Sequence, residues 1–212
     1  MKVHSHPGFF IDIEGLDGSG MSTQVNLVRE RLLKKGYKAY KTSEPTDNVV
    51  GGLIRGALSG VYKLPPEALQ LLFVADRSHH VDREIAPILS DGNILVADRF
   101  LWSTIAFGSV DLSRQWLLQL HRYCFLPDLS IFLRVSPGIC VKRLEPDRFN
   151  FELFEKEDKL RKTWKTYEWL AKKFPQLVKI VEGEQGKEKV TREILRQIRL
   201  HPKFKQIERR KK

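Results

Sequence analysis

Apolar positions along the 212-residue chain follow two periods. Short runs rich in Ile, Leu, Val and Phe occur at Phe9–Ile13, Ile94–Ala97, Leu129–Val135 and Leu177–Val181, each the length of a strand. A further short strand, Ala39–Thr42, leads into Glu44-Pro45. Between these runs the spacing becomes helical. Val25, Val28 and Leu32 recur at i, i+3 and i+7 and predict a helix over Gln24–Lys35 that Gly36 stops. Val49–Leu58 reads as a short helix, and Pro65-Pro66 opens a longer one with a bend before Pro87 and an end at Gly92. Helical spacing returns across Leu101–Phe107 and Ser113–Tyr123, and Ser136-Pro137 caps the next helix. A charged segment, Arg143–Lys159, precedes an amphipathic helix through Phe174-Pro175, and a final helix covers Lys187 to Leu200. Strands alternating with helices through short loops predict an α/β fold, a single domain on a parallel sheet with helices on both faces. Ligands of such sheets bind at the carboxyl ends of the strands, which here carry Glu14–Ser22, Glu44-Pro45, Asp98-Arg99 and Arg134.

Composition narrows the class. Hydrophobic residues make up 42% and charged residues 30%, the balance of an ordinary globular protein. No apolar run approaches the ~20 residues of a membrane span, so no membrane partner is expected. The stretch MKVHSHPG lacks the apolar segment of a signal peptide, and Cys124 and Cys140 form no metal or redox spacing. A cytoplasmic protein is expected. The net charge of +11 favours anionic partners. Part of it lies in the tail Pro202–Lys212, with six basic residues against Glu208, which reads as a solvated, frayed end. Nucleic acid is not the expected partner, because only Phe204 interleaves the tail's charges.

The candidate chemistry starts where the first long strand ends. Gly15, Gly18 and Gly20 form a loop that opens directly into a helix at Ser22, and Gly15-x4-Gly20-x-Ser22 fits a phosphate-binding P-loop. Glycines let successive N–H groups converge on one anion, and the Ser22 hydroxyl suits Mg²⁺. Met21 stands where that motif carries lysine. Asp98-Arg99, ending a buried strand, suits a carboxylate near Mg²⁺ and a guanidinium on phosphate. Phe73 and Arg77 lie at i and i+4 on one helix face, a ring and a planar donor fork able to hold a base. His79 and His80 read as partly exposed rather than as metal ligands. Arg143 and Arg148 in RLEPDRFNFE suit a lid over about 143–152 that closes on phosphates. The apolar stripe Trp116, Leu117, Leu120 and Tyr123 fits a core or a subunit contact.

Taken together, these stretches resemble the thymidylate kinase family of P-loop nucleoside monophosphate kinases over nearly the whole chain. The motifs are GLDGSGMST (15–23), Glu44-Pro45, LLFVADRSHH (71–80), DRFLWSTIAFG (98–108) and DRFNFE (147–152). The resemblance implies ATP and dTMP as substrates, Mg²⁺ as cofactor and a homodimer. It implies that Gly15, Gly18, Ser19, Gly20, Met21, Ser22 and Thr23 hold the ATP phosphates, with Ser22 and Asp98 toward the metal. Asp17 and Arg99 would position the acceptor, Phe73 would stack on thymine, and Arg77 would hydrogen-bond its edge. Glu44, Arg55, Ser103 and Phe107 complete the acceptor set. Gly18 after Asp17 matches members whose catalytic arginine lies in the lid, here Arg148 supported by Arg143. Besides Met21, Phe107 replaces the family's Tyr, Gly108 its Gln, and Asn150 a Glu. Two further readings therefore stand beside a dTMP kinase: a kinase for another monophosphate, and a nucleotide-binding homologue without catalysis.

Overall fold

The computed structural model describes residues 1–144 and 151–211. In chain order the elements are β1 (Lys2–Val3), β2 (Phe9–Gly15), α1 (Met21–Lys34), β3 (Ala39–Ser43), α2 (Val49–Leu58) and α3 (Pro66–His80). A π-helical stretch, Val81–Ile85, leads into α4 (Ala86–Ser90), β4 (Ile94–Asp98), α5 (Leu101–Gly108), α6 (Arg114–Leu120) and β5 (Phe125–Leu126). The remainder is β6 (Leu129–Arg134), α7 (Pro137–Leu144), α8 (Phe151–Lys173), β7 (Val178–Glu182), α9 (Lys187–Leu200) and α10 (Pro202–Lys211).

Five parallel strands form the main sheet in the order β3-β4-β2-β6-β7, so β2 is central and every residue of it is buried. That burial explains why FFIDIEG reads as a nearly continuous apolar run. Period two sorts its side chains. Phe9, Ile11 and Ile13 meet Val25, Val28 and Leu32 of α1 and Ile194 and Ile198 of α9. Phe10 belongs to the opposite layer with Trp102 of α5, Phe132 of β6 and Tyr167 of α8. Asp98 and Ser43, the last residues of β4 and β3, stand in register with Ile13, two residues before β2 ends, which brings the loops after the three strands to one edge.

The interruption expected before Pro87 is the π-helical stretch, where the Ala86 N–H reaches back to the Val81 carbonyl. Pro87 has no N–H to continue the α-helical ladder, and a bulge one turn earlier absorbs the mismatch. The charged segment is partly helix, since α8 begins at Phe151; residues 145–150 lie outside the described residues. The expected stripe divides, with Leu117 in the core and Tyr123 exposed.

One expectation is corrected outright. The basic tail is not frayed but forms α10, and Phe204 is 1% exposed. Its ring packs 5.5 Å from Phe9 and 5.3 Å from Tyr37, centroid to centroid. Lys203 Nζ donates to both oxygens of Asp128 at 2.9 Å, and His4 Nε2 lies 2.8 Å from Asp128 Oδ2. These contacts tie the tail to the N-terminal segment. Charge density hid this because the tail's one aromatic is its anchor.

Candidate active site

The loop between β2 and α1 turns through Gly18 (φ 81°) and Gly20 (φ 93°), a backbone region that side chains disfavour. A Cβ on Gly18 would lie 2.5 Å from the Cys140 carbonyl of α7, whereas Gly20 faces open space. The first turn of α1 has no side-chain cap and no acidic residue, so its N–H groups and positive dipole end are free for an anion. Ser19 Oγ is buried without a partner among the described residues. Arg143 on α7 leans onto the loop, its Nη1 donating to the carbonyls of Gly18 (3.2 Å) and Ser19 (3.5 Å). Met21 opens α1 with its side chain in the apolar layer beside Val25. Ser22 and Asp98 share a hollow of about 350 Å³ with Asn26, Lys41 and Ser43.

Arg99 joins this loop to the neighbouring cavity. Its backbone is left-handed (φ 69°), a strained conformation that concentrates at functional sites. Nη2 donates to Asp17 Oδ1 at 2.6 Å, and Nη1 to Ser103 Oγ (2.8 Å) and the Gly15 carbonyl (3.1 Å). The guanidinium lies 5.0 Å over the Phe107 ring. Asp17, Arg99, Phe73, Ser103 and Phe107 all line one cavity of about 400 Å³, within the range of small-molecule sites.

Other expected residues sit differently. Arg77 lines this cavity, yet its guanidinium is largely committed inward. It pairs with Glu44 Oε2 (2.6 Å) and donates to Thr104 Oγ1 (2.7 Å), the Phe100 carbonyl (3.2 Å) and His121 Nε2 (2.6 Å). Burial, aided by the Arg77 charge, lowers the His121 pKa to about 3. The ring is therefore neutral, its Nδ1–H donating to the Leu117 carbonyl and its Nε2 accepting from Arg77. Glu44 also meets His80 Nδ1 at 3.0 Å, and His80 Nε2 lies 2.6 Å from Thr42 Oγ1. His80 is thus a buried second anchor for Glu44, not the partly exposed residue expected. Arg55 stays outside the cavity, bonded to the Pro45 and Thr46 carbonyls. Thr23 follows Ser22 in the first turn of α1, and Arg148 lies outside the described residues.

Sequence reasoning missed the carboxyl group behind Ser103, whose hydroxyl accepts from Arg99. Glu14 is fully buried and accepts from the Phe100 N–H (2.8 Å), the Ser103 N–H (3.3 Å), the Tyr167 hydroxyl (3.0 Å) and the Ser103 hydroxyl. Burial raises its pKa, and burial beside Glu14 raises that of Tyr167 well above its ordinary value, which keeps this hydroxyl a donor. A charged residue inside a buried run, one step before the loop, was the available signal for Glu14. Tyr167 gave none, being 153 residues away in sequence.

A glycine-rich loop closing the central strand of a parallel sheet, next to an ion-paired arginine and a small-molecule cavity, defines an α/β protein of the P-loop kinase type. The family model that matches is that of thymidylate kinase, over residues 13–194. Curated relatives include the probable thymidylate kinases of Thermococcus gammatolerans (34% identical, over 89% of this chain and 94% of the relative) and Pyrococcus horikoshii (38%, over 80% and 86%). That of Thermococcus onnurineus is 37% identical over 79% of this chain and 86% of its own length. The chain belongs to the thymidylate kinase family. Among the described residues, no helix is long and apolar enough to cross a membrane.

Proposed function

We propose that the protein transfers the γ-phosphoryl group of ATP to dTMP, giving ADP and dTDP. One observation carries this reading: the anion-receiving loop and the 400 Å³ cavity meet at Asp17 and Arg99. A base entering the cavity has Phe73 to stack on, and Phe107 and Asp17 on the sugar side. Arg99, held by Asp17, Ser103 and Gly15, presents a cation to the acceptor phosphate. Loop N–H groups, the Ser22 and Thr23 hydroxyls and Arg143 receive the donor phosphates. An oxygen of the dTMP phosphate forms the new bond to the γ-phosphorus as the bond to the ADP oxygen breaks, with no covalent intermediate on the protein. Arg148, in a lid over about 143–152, is assigned the charge that develops during transfer, and Glu44 shapes the acceptor side, with Arg55 outside the cavity bracing the Pro45-Thr46 turn beside it.

Among the described residues no three His, Cys, Asp or Glu side chains gather to hold a metal by themselves. Mg²⁺ commonly binds one or two protein oxygens and substrate phosphates, and the Ser22 hydroxyl and Asp98 carboxylate fit that donor set. Bound there, it would neutralise phosphate charge.

The reading extends to the whole protein as one domain, cytoplasmic, as its free Cys124 and Cys140 thiols suit, and homodimeric. The exposed apolar side chains of Val49 and Leu53 on α2 and Leu71 on α3 support a second copy covering that face.

Met21 favours a second reading, a homologue that binds nucleotides without transferring phosphate. Where the family's loop carries lysine, this chain has a thioether packed in the core. Chromatography of a reaction with Mg²⁺, ATP and dTMP separates the two. Formation of dTDP supports the kinase, and calorimetric nucleotide binding without product supports the homologue. Parallel reactions with dUMP and other monophosphates test the acceptor.

A further inference from the structure

The acceptor cavity contains a polar atom that no described residue of the protein bonds. Gln70 lies one turn before Phe73 on the same face of α3 and lines the cavity with it. It is 6% exposed, and its Oε1 has no hydrogen-bond partner among the described residues. Unpaired buried amide oxygens are few in native proteins, and each calls for an explanation.

Across the cavity, the last residue of α5 is Gly108. A Cβ there would lie 2.9 Å from Gln70 Cδ, 3.0 Å from Oε1 and 3.1 Å from Nε2. The 2.9 Å contact forces the carboxamide to shift and the other two are tight, so the glycine leaves the room that the carboxamide occupies in this position. Gly108 is not needed for a left-handed turn, since the positive-φ glycines are elsewhere. The other base-reading candidate, Arg77, has both terminal nitrogens committed to Glu44, His121, Thr104 and Phe100, leaving Nε without a partner. Gln70 is therefore the group beside Phe73 whose acceptor is free to face a ring stacked there.

We infer that Gln70 is a specificity-determining contact to the acceptor base, its Oε1 accepting the ring N–H of an imide such as thymine or uracil. A carboxamide presents an acceptor and a donor side by side, the complement of a ring N–H next to a carbonyl. Nε2 then donates to that carbonyl. The inference rests on the cavity being the acceptor site.

Two variants test it. Gln70→Met keeps length and helix propensity while removing both polar atoms. Gly108→Ala leaves Gln70 in place, favours the helix, and puts a methyl where the carboxamide lies. Initial rates are measured against dTMP, its N3-methyl analogue and ATP, with thermal melts confirming the fold. Both variants should raise KM for dTMP about 10-fold or more, the effect of losing a buried hydrogen bond, and should narrow the preference for dTMP over its N3-methyl analogue, which lacks the ring N–H, while KM for ATP stays unchanged. A Gln70→Met enzyme with dTMP KM within about twofold of wild type and the same selectivity would overturn the inference while leaving the kinase reading intact. If wild type turns over no monophosphate, the kinase reading fails, and calorimetry with dTMP decides the inference. Weaker binding to Gln70→Met than to wild type supports it, and equal binding or none to either overturns it.

Discussion

Asp12 offers a sharp physical test, because it places a carboxyl in the middle of the central strand. It is fully buried, and neither oxygen makes a well-formed hydrogen bond among the described residues, although the Ser130 hydroxyl and the Glu14 carboxyl lie close enough to act on it. Burial, reinforced by the charge of Glu14 two residues on, raises its pKa well above the ordinary carboxylate value. Valine is close in size and suits a buried strand, so Asp12→Val removes the polar group with little change in packing. Leaving a neutral polar group unpaired costs about 1–3 kcal/mol. Ionisation adds about 1.4 kcal/mol for each unit by which the folded pKa exceeds the unfolded one. The sign is fixed: in this window the folded state binds more protons than the unfolded state, so stability falls as pH rises from the unfolded pKa to the raised folded one. Asp12→Val should therefore be more stable than wild type at neutral pH, by about 2–10 °C in Tm for a chain of this size. The gap should widen from pH 5 to pH 8. Glu14, also raised by burial, leaves a residual slope of the same sign in the variant. Thermal melts followed by circular dichroism across that range measure both quantities. A variant less stable than wild type, or a gap that does not widen with pH, would refute the reasoning.

The other expectations concern the tail, the bridge and the loop. Phe204→Ala should lower stability by about 3–5 kcal/mol in urea denaturation, the cost of emptying a buried aromatic site, whereas a frayed tail would leave the midpoint unmoved. Arg99→Lys keeps the charge but not the planar fork that reaches Asp17, Ser103 and Gly15 together. Its kcat/KM for dTMP should fall on the order of 10²–10³, and wild-type kinetics would remove Arg99 from the site. Arg143→Met should raise KM for ATP about 10-fold through loss of a cation from the loop, with KM for dTMP little changed. Equal effects on both substrates would argue that Arg143 acts only through the fold.

Much of this architecture is legible in the residues. The five strands and the longer helices follow from where apolar spacing changes from runs to 3.6, and the loop glycines mark the ligand edge before any contact is known. What the sequence hides depends on pairing across long separations. Glu14, Tyr167 and Ser103 form one buried network although 153 residues separate its ends. His80 gives no sign in its helix that Glu44 and Thr42 will enclose it, and Arg77 looks free until Glu44, His121 and Thr104 fold around it. The tail misleads because charge is read locally, whereas Phe204 and Lys203 find Phe9 and Asp128 at the far side of the chain.

The initial rate of dTDP formation from MgATP and dTMP, by wild type beside Met21→Lys, bears most directly on the proposed activity. Wild type should form dTDP, the loop N–H groups and the arginines around them sufficing without a loop lysine. Product from Met21→Lys alone, or from neither protein, would contradict the account.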